Sequence, residues 1–467
     1  MYKVVEKKAE LSLCEKPIPL NYEQIPEVTS EELNQRLQRL WQSELAQEYS
    51  AIVIYADREH FSNVHYFTNY DPRFEEALLL LRRGCTPWLL IGNEGYGYSP
   101  IVPVEVHKEL FQSFSLMGQP NESSRTLKAI LADFLRADDH VGLIGWKEYA
   151  SELFTDELVT DVPHYIVREL EEAVGHSNIK NATAIMSHCI LGMKHQLDAR
   201  EIVRFEASGT KLSRNVYQCL KNLKPGMTEI EASGLIPFDG DPLNVHPNIN
   251  FGAFHNSLGL CSPLYHEKLE YGKGLGVGYG LRGSLVHKSG MYIRSREDLP
   301  EGYEHYLDEF VKPYFASCAK WYEMMRIGTK FGDIYQMVED WIGFDKFHIG
   351  LNPGHQIHTD EWTNSPLTAG NTQAVASGCA YQCDYTVSFH EPFMSCHIED
   401  GVVIADEALR AQIEAISPDC MCRIRARQEY MRTVLGIDLA DETLPMSDLP
   451  CVCFPYMADL STVLAKA

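Results

Sequence analysis

The stretch from Phe347 to Asp400 gathers the residue types that suit chemistry. It opens with His348, His355, His358, Asp360, Glu361 and Trp362, and closes with Asp384, His397, Glu399 and Asp400. Ionisable side chains set singly within short apolar runs fit strands that turn them towards a pocket. An imidazole beside a carboxylate can move protons near neutral pH, the carboxylate fixing its tautomer. The same residue types also ligate metal ions. Further upstream, His287 stands in Gly283-Ser284-Leu285-Val286-His287-Lys288, and Cys261 in Leu258-Gly259-Leu260-Cys261-Ser262-Pro263. Each has a plainer structural reading too. These are a surface loop with scattered polar groups, an imidazole–carboxylate pair that only hydrogen-bonds itself, and a small buried cysteine.

The elements that must position these residues follow from periodicity. Thr29 with Glu32 three residues on marks a helix start, and Leu33, Leu37, Leu40, Trp41 and Leu45 form its apolar stripe. The run Ala51–Tyr55 reads as a strand, and Ala77–Leu81 with Trp88–Ile91 as a hairpin-like pair. With the strand 141–144, this alternation predicts an α/β first domain. From Asp198 to Leu220, apolar residues recur at helical spacing, and Lys224-Pro225-Gly226-Met227-Thr228-Glu229 ends that helix in a turn where Thr228 can cap another. Beyond 236, glycine-punctuated strands alternate with helical stretches, which predicts an α+β second domain.

At 467 residues the chain is too long for one ordinary core. The expected division is 1–175, 176–410 and a helical and extended extension, 411–467, packed on the second domain. A formal charge of −24 disfavours nucleic acid and anionic membrane as partners, because both require a basic surface. No apolar run approaches the ~18 residues of a membrane helix, and Met1–Lys8 has no secretory apolar core. Thirteen scattered cysteines read as reduced thiols, and the expected location is cytoplasmic.

Several motifs, in order, resemble the creatinase, Xaa-Pro peptidase and methionine-aminopeptidase superfamily. Asn63-Val64-His65-Tyr66-Phe67-Thr68-Asn69-Tyr70 is similar to an N-domain element of creatinase-type proteins. Lys194–Glu201 resembles the segment leading into the catalytic domain, and Lys224–Glu229 the turn that follows its first long helix. Leu269–Gly280, Ser377–Tyr385 and His397–Gly401 resemble its active-site strands. The resemblance implies an α/β N-terminal creatinase-like domain and an α+β "pita-bread" C-terminal domain, and a homodimer.

The family's metallopeptidases hold two ions with two Asp, one His and two Glu. Carried over, these positions fall on Gly278, His287, His355, Asp384 and Glu399, while Lys273 replaces the Asp of a preceding turn. Glycine ligates nothing and an imidazole nitrogen does not bridge two metals, so the resemblance implies a degenerate site. The leading expectation is a creatinase-like hydrolase of a C–N bond in a small guanidino or amide compound, needing no cofactor. In it His355 or His287 shuttles a proton, and Glu399 and Asp384 bind a polar or cationic group. His358, Asp360, Glu361, Trp362 and Cys261 are expected to contact substrate. The alternatives are a metal-dependent Xaa-Pro peptidase with one ion (zinc, manganese or iron) on His287, His355, Asp384 and Glu399, and a non-catalytic module binding a small ligand or a protein.

Overall fold

The run Ala51–Ala56 carries no polar alternation, and it becomes the centre of a sheet buried on both faces. The computed structural model describes residues 1–122, 125–149, 153–390 and 393–467. It divides into two compact units, residues 27–195 and residues 1–26 with 196–467. In the first unit, Ala51–Ala56 pairs antiparallel with Ala77–Arg82 and parallel with Val141–Ile144. Trp88–Ile91, His107–Leu110 and Ile179–Asn181 complete a six-stranded sheet. Leu33 and Leu40 of the helix Ser30–Gln42 pack on one face. Residues of Leu127–Phe134 and His164–Val174 pack on the other. The Thr29 hydroxyl accepts the Glu32 N–H, as the spacing predicts.

The second unit begins with a strand from the chain's start. Strand β1 (Val4–Lys8) enters a two-stranded sheet, and its partner comes from the far end of the sequence. Helix α1 (Ala199–Asn222) follows, with a reciprocal cap between Asp198 and Glu201. Three long strands come next: β2 (Leu243–Phe251), β3 (Gly274–Leu281) and β4 (Ser284–Met291). The short strands β5 (His355–Gln356) and β6 (Cys379–Gln382) precede β7 (Val387–His390) and β8 (Phe393–Glu399). Then come β9 (Gly401–Ile404), helices α2 (Glu407–Ile416) and α3 (Pro418–Thr433), and strands β10 (Thr443–Pro445) and β11 (Thr462–Lys466). One sheet runs β7-β8-β4-β3-β2, a second runs β5-β6-β9-β10, and β11 pairs with β1.

The chain crosses from the first sheet to the second at Asp400, between β8 and β9. This corner sets the site, because Cys383 N–H donates to the Asp400 carbonyl and brings the end of β6 beside Glu399. Buried side chains of α1, the second sheet, α2 and α3 form one core. Each fully buried Leu, Ile or Val there contributes about 1.5–3 kcal/mol. Within it lies a buried ionic network. Glu206 of α1 accepts from Arg423 at 2.8 and 2.6 Å and from Arg427 at 2.7 Å. Arg427 also donates to Asp448 at 2.8 Å.

The expected junction at 175 falls instead between 195 and 196, and residues 1–26 belong with the later part of the chain. The reason is the β1–β11 pairing, which periodicity cannot report. The stretch 411–467 is woven in as well, since β10 is a strand of the second sheet and α3 carries the partners of Glu206. All thirteen cysteines are free thiols. Among the described residues no helix is long and apolar enough to cross a membrane.

Candidate active site

A period of two places His287 and Ser289 on one face of β4, and His397 and Glu399 on one face of β8. The sheet register aligns them in two rows. The first row is Asn248, Gly278, His287 and Glu399, and the second is Asn250, Gly276, Ser289 and His397. Strand β3 has glycine at 274, 276, 278 and 280, with buried Leu275, Val277, Tyr279 and Leu281 between. Its site face is therefore bare backbone, and the His287 ring occupies the space above it. A Cβ at Gly278 would lie 2.6 Å from His287 Cδ2.

His355 arrives from the other sheet. Gly354 has a φ of +116°, and a Cβ there would lie 2.6 Å from the Gln382 carbonyl. Glycine thus lets the chain enter β5 in register, with His355 opposite Gln382. The His355 side chain is fully buried, and its ring stacks on Trp362 with centroids 4.2 Å apart. Its Nδ1 lies 3.2 Å from the Gln356 carbonyl, an acceptor that fixes the proton on Nδ1. Nε2 then faces three carboxylates: Glu361 at 3.0 Å, Asp384 at 3.6 Å and Glu399 at 3.9 Å. Neither His355 Nε2 nor Glu399 Oε1 has a hydrogen bond of proper direction.

These surroundings shift the protonation of the group. Burial disfavours the His355 cation, yet Glu361, Glu399 and Asp384 together hold its pKa well above the ordinary value. Glu399 is pushed well up by burial and by the charge of Asp384. Burial would also raise Asp384, but the hydrogen bond and charge of His397 together with His355 and His287 outweigh it, and the carboxyl lies below its usual range. His287 is brought down to about 3 by burial, then by His397. It is neutral at pH 7.

A chain of hydrogen bonds runs out from the cluster. His397 Nε2 lies 2.9 Å from Asp384 Oδ1, and His397 Nδ1 lies 2.8 Å from His287 Nδ1. The carboxylate accepts from His397 Nε2, so the one proton between the two Nδ1 atoms falls to His287 whenever His397 carries a single proton.

The donor atoms of His355, Glu361, Asp384 and Glu399 all lie within 4.8 Å of one another. Atoms bound at about 2.1 Å around a tetrahedral ion stand about 3.4 Å apart. One imidazole nitrogen held in the ligating tautomer, with three carboxylates and two orphaned buried donor atoms, fits one divalent ion. A second ion does not fit, because Gly278 offers no donor and His287 fills the space above it.

The structure brings His355, Asp384 and Glu399 together. Glu361, and not His287, completes the group whose donor atoms lie close enough together for one ion, and His287 is engaged by His397. Trp362 lines the pocket. His358 turns away, with Nε2 3.2 Å from Glu201 of α1 and its ring edge-on to Phe205. Neither Asp360 nor Cys261 reaches the pocket. The Asp360 carbonyl accepts the His358 N–H, and the Cys261 carbonyl accepts from Asn250. Sequence reasoning gave no role to His397 or Asn248. His397 was legible, two residues before Glu399 in a strand and hence on the same face. Asn248 becomes visible only through the register of β2 on β3.

Beside the cluster lies a cavity of about 440 Å³, walled by Leu258, Leu260, Leu285, Leu351 and Trp362. Glu229, the last residue of the Lys224–Glu229 turn, shapes one wall. Its buried carboxylate accepts from Phe251 N–H, Leu264 N–H and His255 Nδ1, which pins the loop bearing Leu258 and Leu260.

No family model matches the sequence, and no curated protein matches it. Solved structures do. A prolidase from Pyrococcus horikoshii OT3 is 14% identical, with 80% of this chain and 96% of that one covered at a TM-score of 0.60. An Xaa-Pro dipeptidase from Bacillus anthracis is 10% identical, with 80% and 96% covered at 0.60. An X-Pro aminopeptidase from Thermotoga maritima MSB8 is 11% identical, with 80% and 95% covered at 0.59. At these identities the likeness is one of fold, and the chain has the fold of the creatinase and Xaa-Pro peptidase superfamily, an α/β N-terminal domain followed by a pita-bread domain.

Proposed function

We propose that the pocket hydrolyses a C–N bond in a small amide or short peptide, with one divalent ion held by His355, Glu361, Asp384 and Glu399. The observation that carries this reading is the convergence of those four donors around His355 Nε2 and Glu399 Oε1, both buried without hydrogen-bond partners. When bound, such an ion polarises a carbonyl and acidifies a water. The chain's own residues do the rest. Trp362 holds the His355 ring and, with the leucines, keeps bulk water from the scissile bond. Glu361, the most exposed of the four, faces the cavity. It takes a proton from the attacking water and returns it to the leaving nitrogen. The water oxygen bonds to the carbonyl carbon, the C–N bond breaks, and an amine and a carboxylate leave. Burial and His397 hold His287 far below the ordinary imidazole range, which disfavours it as a base.

The names of the structural neighbours support a peptide-like substrate, and the family resemblance supports a homodimer. A creatinase-like, metal-independent hydrolysis is the second reading. The Asp384–His397–His287 chain favours it, since it ties two imidazoles in series to one carboxylate. Elemental analysis of untagged protein separates the two, combined with turnover of Xaa-Pro dipeptides, their amides and guanidino compounds. Turnover that depends on one equivalent of ion and is lost in Glu399→Gln supports the first reading. Turnover by ion-free protein supports the second, and equal turnover by Glu399→Gln removes both.

A further inference from the structure

The mouth of the cavity is apolar, where the rim of a binding surface is usually polar. Leu258, Leu260 and Leu351 line the cavity and are also 48%, 73% and 45% exposed, so they mark where it opens. Asn248, Leu285 and Glu399 line it too and are buried, so they form its floor. The apolar surface continues outward. On the short helix Ala253–Leu258, Phe254 and Leu258 stand four residues apart and share a face. Phe254 is 78% exposed and lies beyond the lining. An apolar strip therefore leads out of the cavity, past Leu260 and Leu258, to Phe254.

Polar contacts beneath the strip hold it in place. Glu229 already anchors Phe251, His255 and Leu264. His246 Nε2 donates to the Leu260 carbonyl at 3.1 Å, and Asn250 Nδ2 to the Cys261 carbonyl at 3.0 Å. The Ser395 hydroxyl donates to Asn256 Oδ1 at 2.7 Å. Apolar side chains held outward on a fixed backbone are a contact surface organised in advance, with little ordering left to lose on binding.

One extended peptide fits both the strip and the cavity. Its side chains two residues apart point to one side about 6.6–6.8 Å from each other. That is close to the ~5–6 Å between side chains four apart on a helix, so alternate side chains of the peptide can meet Leu258 and Phe254. At the floor, the buried Asn248 Oδ1 has no hydrogen-bond partner. A peptide brings an N–H donor with nearly every residue, whereas an alkyl chain brings none. Resting on the hydrolase reading, we infer that the substrate is a peptide longer than a dipeptide, with apolar side chains at alternate positions beyond the mouth. Phe254 and Leu258 form its outer subsite.

The test is calorimetric titration of the full chain carrying Glu399→Gln, which binds without turnover, with cleavage followed on the unmodified chain. The probes are Ala-Pro-amide, Ala-Pro-Leu-Ala-Leu-amide and acetyl-Leu-Ala-Leu-Ala-Pro-amide, which extend the core in either direction, and versions of the last two with serine for each leucine. In one direction the leucine peptide is expected to bind about tenfold more tightly than its serine version. Phe254→Ser is expected to remove about fivefold of that preference, and Phe254→Trp to keep it. Because Phe254 is exposed, its loss leaves the fold intact, which an unchanged melting curve checks. Equal affinity for leucine and serine peptides in both directions, no binding by any probe, or an unchanged preference in Phe254→Ser overturns the inference. So does a lower mass for Phe254→Ser in sedimentation, which would make the strip a seat for a second copy of the chain. The preference without cleavage of any peptide would defeat the hydrolase reading and leave the outer subsite standing. Cleavage of Ala-Pro-amide as fast as the leucine peptides would do the reverse.

Discussion

His287 Nδ1 and His397 Nδ1 lie 2.8 Å apart, so a single proton is shared by two rings and its position is fixed by Asp384 on the far side. The state of His287 is thereby set by a carboxylate it does not touch. Nitrogen-15 spectra of the imidazoles should show His287 protonated at Nδ1. In His397→Phe they should show a mixture with the Nε2 form. Turnover should fall about 10–100-fold, the range typical of groups that orient a site at one remove. An unchanged tautomer in the variant would remove the relay.

The proposed ion-binding set makes a contrast between two residues that the sequence alone ranks the other way. Glu361→Ala and His355→Ala are each expected to lose the bound ion, whereas His287→Ala keeps it. Elemental analysis after dialysis decides. Retention in Glu361→Ala, or loss in His287→Ala, would return the ligand set to the one first expected.

Gly278→Asp restores a family ligand in name only. A Cβ there meets His287 Cδ2 at 2.6 Å and the Val286 carbonyl at 2.7 Å, so the sheet must shift. The expected cost is about 1–3 kcal/mol in urea unfolding, with no second equivalent of ion. Part of the cost should vanish in His287→Ala, because the two positions compete for one volume. Strict additivity of the two changes would show that they do not.

Glu206 offers a pH test away from the site. Burial alone would raise its pKa, but Arg427, then Arg423, hold it below the ordinary value. A depressed carboxyl adds stability that is present above the unfolded value of about 4.3 and is lost as pH falls through the folded value. Over that interval the unfolded chain binds more protons, so stability rises with pH. Glu206→Gln should flatten the acid limb of a stability–pH curve. Arg427→Met should cost about 3–5 kcal/mol at pH 7, because it leaves a fully buried carboxylate short of a partner. A cost under 1 kcal/mol would mean that Arg423 suffices.

Much of this fold could be read before any coordinates. The caps at Thr29 and Thr228 and the apolar run Ala51–Tyr55 are local signals, and local signals survive into the structure. His355, Asp384 and Glu399 were found together because they lie at strand ends in a recognisable order. Glu361 stood close by, yet only the turn after β5 shows its carboxylate 3.0 Å from His355. His287 shows the opposite case. Its place in the sequence is that of a ligand, while the glycine face of β3 gives it room to lie flat and bond to His397 instead. Cross-strand register and the filling of space are properties of pairs, and one sequence does not print them.

The pairing of β1 with β11 orders events in time. During synthesis Val4–Lys8 emerges before its partner, which is made roughly 450 residues later, on the order of tens of seconds at ribosomal speed. Residues 27–195 have all their sheet partners within themselves and can finish folding in that interval. The unit with the site cannot. Until Thr462–Lys466 is made it keeps an unpaired strand edge, the kind of surface that chaperones hold and other nascent chains capture.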